Sequence, residues 1–158
     1  MKILAGIYLM LALMLMLALM LPAQADQKLV MARSHAKAQH VMDVLKETLP
    51  EYGYSVAHVQ RCDGGMAEFH YKSDFYRVVF FGKLEEVRRI LADHPEMSPY
   101  LPLKIAVIAE NDETVLAAMD PRALGAFFPD DKKLQLQFAR WYNDIQAMLD
   151  EMRQLKKK

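Results

Sequence analysis

The chain carries a single cysteine, Cys62, so no internal disulfide can staple it. Excess charge of one sign is missing too. Twenty Lys and Arg balance twenty Asp and Glu, with the signs interspersed, which excludes the basic stripe that a nucleic-acid partner requires. No G-x-S-x-G, H-E-x-x-H, P-loop or G-x-G-x-x-G occurs. Gly64-Gly65 is too short to cradle a phosphate. Paired carboxylates exist only as sequence neighbours on helical stretches, Glu85-Glu86 and Asp130-Asp131, where they diverge and are poorly placed for acid/base work. Internal repeats, low-complexity tracts and interdomain linkers are absent. Nothing in the sequence argues for an enzyme, and nothing demands a cofactor.

What is present begins with an uncharged run from Ile3 to Leu21, preceded by Lys2 and followed by Pro22 and Ala23-Gln24-Ala25. A basic residue, an apolar stretch and an A-x-A pattern are the order that a signal peptidase reads. The sequence therefore predicts a leader over residues 1–25, cleaved between Ala25 and Asp26, and a periplasmic or secreted domain over 26–158. The run also reaches the length of about 18 residues that a spanning helix needs, so an uncleaved anchor is the alternative. No Cys follows the run, which argues against a lipid anchor. Cleavage removes Lys2 and no acidic residue, leaving a net charge of −1 and no membrane attachment. In that compartment Cys62 is a buried inert thiol, an intermolecular bridge or a reactive group.

Along the predicted domain, Lys28 to Arg33 reads as a short strand. Ser34 offers an N-cap hydroxyl to a helix with Ala38, Val41, Met42, Leu45 and Leu49 on one face, closed by Pro50 and Gly53. Tyr54 to Cys62 alternates as a strand, with Ala57 and Val59 toward the core, and Asp63-Gly64-Gly65 turns the chain. Phe75 to Phe81 is a buried strand ended by Gly82. Lys83 to His94 is a helix whose inner face is Leu84, Val87, Ile90 and Leu91. Leu103–Ala109 and Thr114–Met119 flank a hairpin turn at Asn111-Asp112. Finally Leu134, Phe138, Trp141, Ile145, Met148, Met152 and Leu155 follow each other in steps of four and three, one apolar seam on a helix over 130–156. Asp130 and Asp131 at its start and Lys156 to Lys158 at its end complement the helix dipole. That helix is longer than a sheet of five short strands is wide, so Met148, Met152 and Leu155 are expected to overhang and to meet a second subunit or a partner.

The element order predicts an α+β domain, with an antiparallel or mixed sheet of about five strands covered by helices on one face. Leu101-Pro102-Leu103 through Ala109, the acidic hairpin, and Thr114-Val115-Leu116 through Met119-Asp120-Pro121-Arg122-Ala123-Leu124 resemble the family called domain of unknown function 302. The resemblance spans about 34–128. It implies a curved sheet and a homodimer, and no mechanism. Many members carry a Cys near the Leu-Pro or after the central strand, where this chain has Leu103 and Phe81-Gly82.

One strip of the sequence gathers ligand-type side chains. His58, Gln60 and Cys62 share a strand face by alternation, and Asp63 and His70 follow. A thiolate with imidazole and carboxylate neighbours can take copper or zinc, but no C-x-x-C or H-x-x-x-H pairing supports it. An ordinary strand surface is the simpler reading. His40, Asp43 and Glu47 form a solvated helix face. Met66, Met97 and Met119 read as core. The sequence therefore points first to an exported, dimeric binding or accessory module, holding a small ligand or a partner protein at the sheet face or a subunit groove. The alternative is a metal- or thiol-redox-handling protein using Cys62 with His58 or His70.

Overall fold

The computed structural model describes residues 28–64, 69–70 and 73–156; the predicted leader, Gly65, Met66 and the last two lysines lie outside them. Five strands form one open sheet: β1 (Leu29–Ser34), β2 (Ser55–Arg61), β3 (Tyr76–Gly82), β4 (Leu103–Glu110) and β5 (Glu113–Met119). Their spatial order is β1-β5-β4-β3-β2, and every neighbouring pair is antiparallel. Helix α1 (Ala38–Glu51) joins β1 to β2, α2 (Leu84–Asp93) joins β3 to β4, and α3 (Lys132–Arg153) ends the domain. No helix of the described residues is long and apolar enough to cross a membrane.

Alternation along the strands divides the sheet into two faces. Val30, Ala32, Val79, Phe81, Ile105, Val107, Leu116 and Ala118 are buried on the inner one. The register places Ala32 opposite Leu116, Leu116 opposite Val107, and Val79 opposite Ile105, so this row is continuous. Val41, Met42, Leu45 and Leu49 of α1 and the α3 seam close it into one core. Asp131 caps α3 through a bond from the Leu134 amide at 2.9 Å. The turn between β4 and β5 is the expected one, with Asn111 in the left-handed region at φ 54°.

Five expectations change. Ser34 is the fully buried last residue of β1; its hydroxyl accepts from the Ala36 amide at 3.3 Å, and α1 starts later, with Lys37 at its N-cap and no side-chain cap. Residue Ala57 is exposed, because a bulge between Val56 and His58 inserts an extra residue. Val56 and Val59 then oppose Phe81 and Val79. Leu84, first residue of α2, is 59% exposed, and Met119 is exposed on the outer face. The greatest change concerns α3: Met148, Leu149 and Met152 are fully buried within the one chain. The last turn does not overhang. Tyr52, just after α1, donates to Glu151 at 2.6 Å, and Arg153 reaches the Met31 carbonyl of β1 at 3.2 Å.

Candidate functional site

All three helices leave the outer face of the sheet uncovered, and it is largely apolar. Register gives its rows. Met31, Ala117, Ala106, Val78 and Gln60 cross all five strands in line, and Arg33, Val115, Ile108 and Tyr76 form the row beside them. On the other side Phe80 lies between His58 and Lys104. Leu29 is 54% exposed and Met31 47%. A sheet face meant for water alternates in polar side chains; here the outward positions are mostly aliphatic, with small alanines in the centre. The charged groups stand at the margins. Arg33 pairs with Glu110 at 2.8 Å and with Glu113 at 3.2 Å, and the hydrogen bonds it donates to these carboxylates raise its pKa further. Lys104 lies over the Phe80 ring at 5.7 Å.

The strip nominated from sequence lies along β2, at one edge of this face. His58 Nε2 and Gln60 Oε1 are 3.3 Å apart, and the His58 ring tilts against Phe80 at 6.0 Å. Half-buried and free, Cys62 directs its thiol at the Gln60 carbonyl from 3.9 Å. Asp63 turns away to Arg61 and Arg77, each at 3.0 Å. The Arg61 hydrogen bond first, and then that of Arg77, hold its carboxyl below the ordinary range. His70 is exposed with φ 58°. The fold thus brings His58 and Gln60 together and engages Asp63 in a structural pair of arginines. Among the described residues no group of three or more His, Cys, Asp or Glu is placed to hold a metal ion. The Glu85-Glu86 pair does diverge: Glu85 binds Arg88, whereas Glu86 accepts from Trp141 at 2.8 Å and pairs with Arg140.

That Glu86 belongs to a polar clamp on the inner side. Asp144 accepts from the Tyr54 hydroxyl at 2.6 Å and lies 4.0 Å from Arg140. Burial and the Asp144 carboxylate push the Tyr54 phenol well above its ordinary value. Lys83 sits over the same ring at 4.5 Å. Each acid has its partner within the clamp, which ties α2, α3 and the start of β2 together and leaves no group free for chemistry.

The fold built from these elements matches known proteins. A family model, Domain of unknown function DUF302, matches residues 30–152. The chain belongs to this family. The DUF302 match reaches beyond 34–128 and takes in α3 almost entirely, so the long helix is part of the family's domain. A crystal structure of an uncharacterized conserved DUF302 protein from Bacillus stearothermophilus is similar, with a TM-score of 0.71 at 19% identity, over 81% of this chain and 100% of that one. At that identity the likeness speaks for the DUF302 fold alone. No curated protein matches the chain.

A sheet face was expected as a binding surface, and the sequence carries a signal for which face it is. In β3 to β5 the positions facing away from the helices, such as Val78, Phe80, Ala106, Ile108, Val115 and Ala117, are as apolar as those facing them. A continuous apolar run reads as a strand buried on both sides. Among the described residues the three α-helices all lie on one side.

Proposed function

We propose that this chain is an exported binding module without catalytic machinery, that the uncovered sheet face is its docking surface, and that a second copy of the chain occupies it. The observation that carries the proposal is the five-strand row from Met31 to Gln60, apolar over four of its five positions and left open by every helix. Apolar surface of this kind is costly to expose, and contiguous patches mark interaction sites. Five strands at about 4.8 Å spacing and six to eight residues long give a face about 24 Å by about 20 Å. With side-chain relief, that approaches the roughly 800 Å² per partner of a standard interface. The alanines at the centre let a second sheet approach closely, and Met31, Met119 and Leu29 supply adaptable packing around them. Export is supported by the apolar run before Ala23-Gln24-Ala25.

Light scattering on the purified protein and on Met31→Glu and Val78→Glu tests the proposal. Dimers are expected for the parent and monomers with unchanged circular dichroism for the variants. A parent protein monomeric at tens of micromolar would refute self-association through this face. Mass analysis of the exported fraction checks the compartment, with a chain starting at Asp26 as the expected species.

A further inference from the structure

On the opposite side of the molecule, the second half of α2 and the start of α3 enclose a cleft of about 440 Å³. This is within the range of small-molecule sites. Its polar wall holds Arg89 and Asp93 from α2, His94 just after it, and Lys133 and Gln137 from α3. Ile90 and Leu134 form the apolar floor, and Leu136, 73% exposed, stands at the rim.

Three of these charges are unspent. Among the described residues no hydrogen bond or ion pair engages the side chains of Arg89, Lys133 or Asp93, although Arg89 and Asp93 are one helical turn apart. By contrast, His94 and Asp131 at the end of the cleft are committed. His94 contacts Asp131 at 3.3 Å and Glu96 at 3.4 Å, and Asp131 also caps α3. A second observation falls at the same place. Gln137 Nε2 is the one buried side-chain nitrogen or oxygen among the described residues that lacks a hydrogen-bond partner. Such a group is costly and calls for an acceptor. Gln137 itself lines the cleft.

Two unpaired cations, one unpaired anion and an unmet amide donor around an apolar floor are complementary to a zwitterion with an apolar side chain. We propose that this cleft binds a free apolar α-amino acid or dipeptide. Arg89, Lys133 and Gln137 take the carboxylate, Asp93 takes the ammonium, and Ile90, Leu134 and Leu136 receive the side chain. The lining has no net charge, since Arg89 and Lys133 balance Asp93 and Asp131. A simple anion gains no long-range attraction there, and a zwitterion needs none.

The test is a titration of the purified, isotope-labelled protein with leucine and with leucyl-leucine, followed by amide chemical shifts. N-acetylleucine and leucinamide, each lacking one charge, are the comparison ligands. Saturable shifts at residues 89–94 and 131–137 are expected, with both singly charged analogues binding about tenfold or more weakly. Arg89→Ala, Lys133→Ala and Asp93→Asn lie at exposed positions, so they should fold normally and weaken leucine by a similar factor. Lys104→Ala, on the outer sheet face, should leave binding unchanged. No shift with either ligand at about 10 mM would overturn the proposal. So would equal binding of N-acetylleucine, or unchanged binding in Arg89→Ala and Asp93→Asn.

Discussion

Replacing Tyr54 by Phe removes one oxygen from the buried clamp and leaves everything else in place. The ring is almost wholly buried, meets Phe81 edge-on at 5.3 Å and lies beneath Lys83; Phe preserves these contacts. What is lost is a 2.6 Å hydrogen bond to the Asp144 carboxylate. Hydrogen bonds to charged groups contribute about 1.5–3 kcal/mol. Asp144 is partly solvated and keeps Arg140 nearby, so the lower end applies, and Tyr54→Phe should cost about 1–2 kcal/mol at pH 7. The pH dependence of this loss is more diagnostic. The folded-state pKa of Tyr54 is raised above the ordinary value of 10.0. Below pH 10 both states hold the proton and the bond contributes fully. Above it the unfolded chain releases the proton while the folded one retains it, so stability falls by about 1.4 kcal/mol per pH unit until the folded pKa is passed. The variant has no such slope. Tyr52, raised to about 12 by its bond to Glu151, titrates in both proteins and cancels. Urea denaturation of both proteins at pH 7, 9, 10 and 11 measures the difference. The gap between them should stay constant to about pH 10 and then close. A gap that stays constant through pH 11, or no gap at pH 7, would refute the argument.

Other perturbations separate the two sides of the molecule. Truncation after Asp150 removes Met152, fully buried, and Leu155, half-buried; it should lower the unfolding midpoint sharply, because deleting a buried Met side chain alone costs about 2–5 kcal/mol. Val79→Asp sets an unpaired charge in the core beside Ile105 and should abolish soluble folded protein, whereas His40→Asp on the half-exposed face of α1 should be nearly silent in thermal melts. Asp63→Asn should flatten the acid limb of a stability-against-pH curve. Because Arg61 and Arg77 depress the Asp63 pKa, its contribution is present above the ordinary carboxylate range and is lost as pH falls through the lowered value. Gly53→Ala should cost about 1 kcal/mol in a urea titration, because φ there is +76°.

Legibility in the sequence followed the length of the pattern. The α3 seam spans six turns, so its 3.5-residue period was unambiguous, and every seam residue from Leu134 to Met152 is buried. Hairpin chemistry at Asn111-Asp112 was equally clear, because a left-handed residue is needed there. Edge strand β2 was not legible. Strict alternation put Ala57 inward, and the bulge, which shifts the register by one, leaves no trace in seven residues of mixed polarity. Ser34 misled for a related reason. A hydroxyl before an apolar periodic run is a helix-start signal, yet this one serves the strand it ends. The supposed overhang failed on geometry: sheet width does not limit α3, since its last turn lies between Tyr52 and β1. The strip from His58 to His70 was found by residue type alone, and residue type does not reveal that Asp63 is claimed by two arginines. Binding at a sheet face was legible, but the open side of the sheet and the cleft depend on which helices lie where, and the cleft could not be read.

The pairing of β1 with β5, and of both with α3, has a consequence for the order in which the molecule can be made. Leu29 meets Met119 across the sheet, and the strand's inner residues, Val30 and Ala32, belong to the core that α3 completes. The first strand to leave the ribosome is therefore the last to find its neighbours. A nascent chain that stops short of Lys132 leaves Val30 and Ala32 without their cover, and pulse proteolysis of such truncated chains should find the first strand unprotected. Contacts over so great a sequence separation also delay folding. Until its C-terminal helix is synthesised, the polypeptide lacks the side chains that close its core over the first strand.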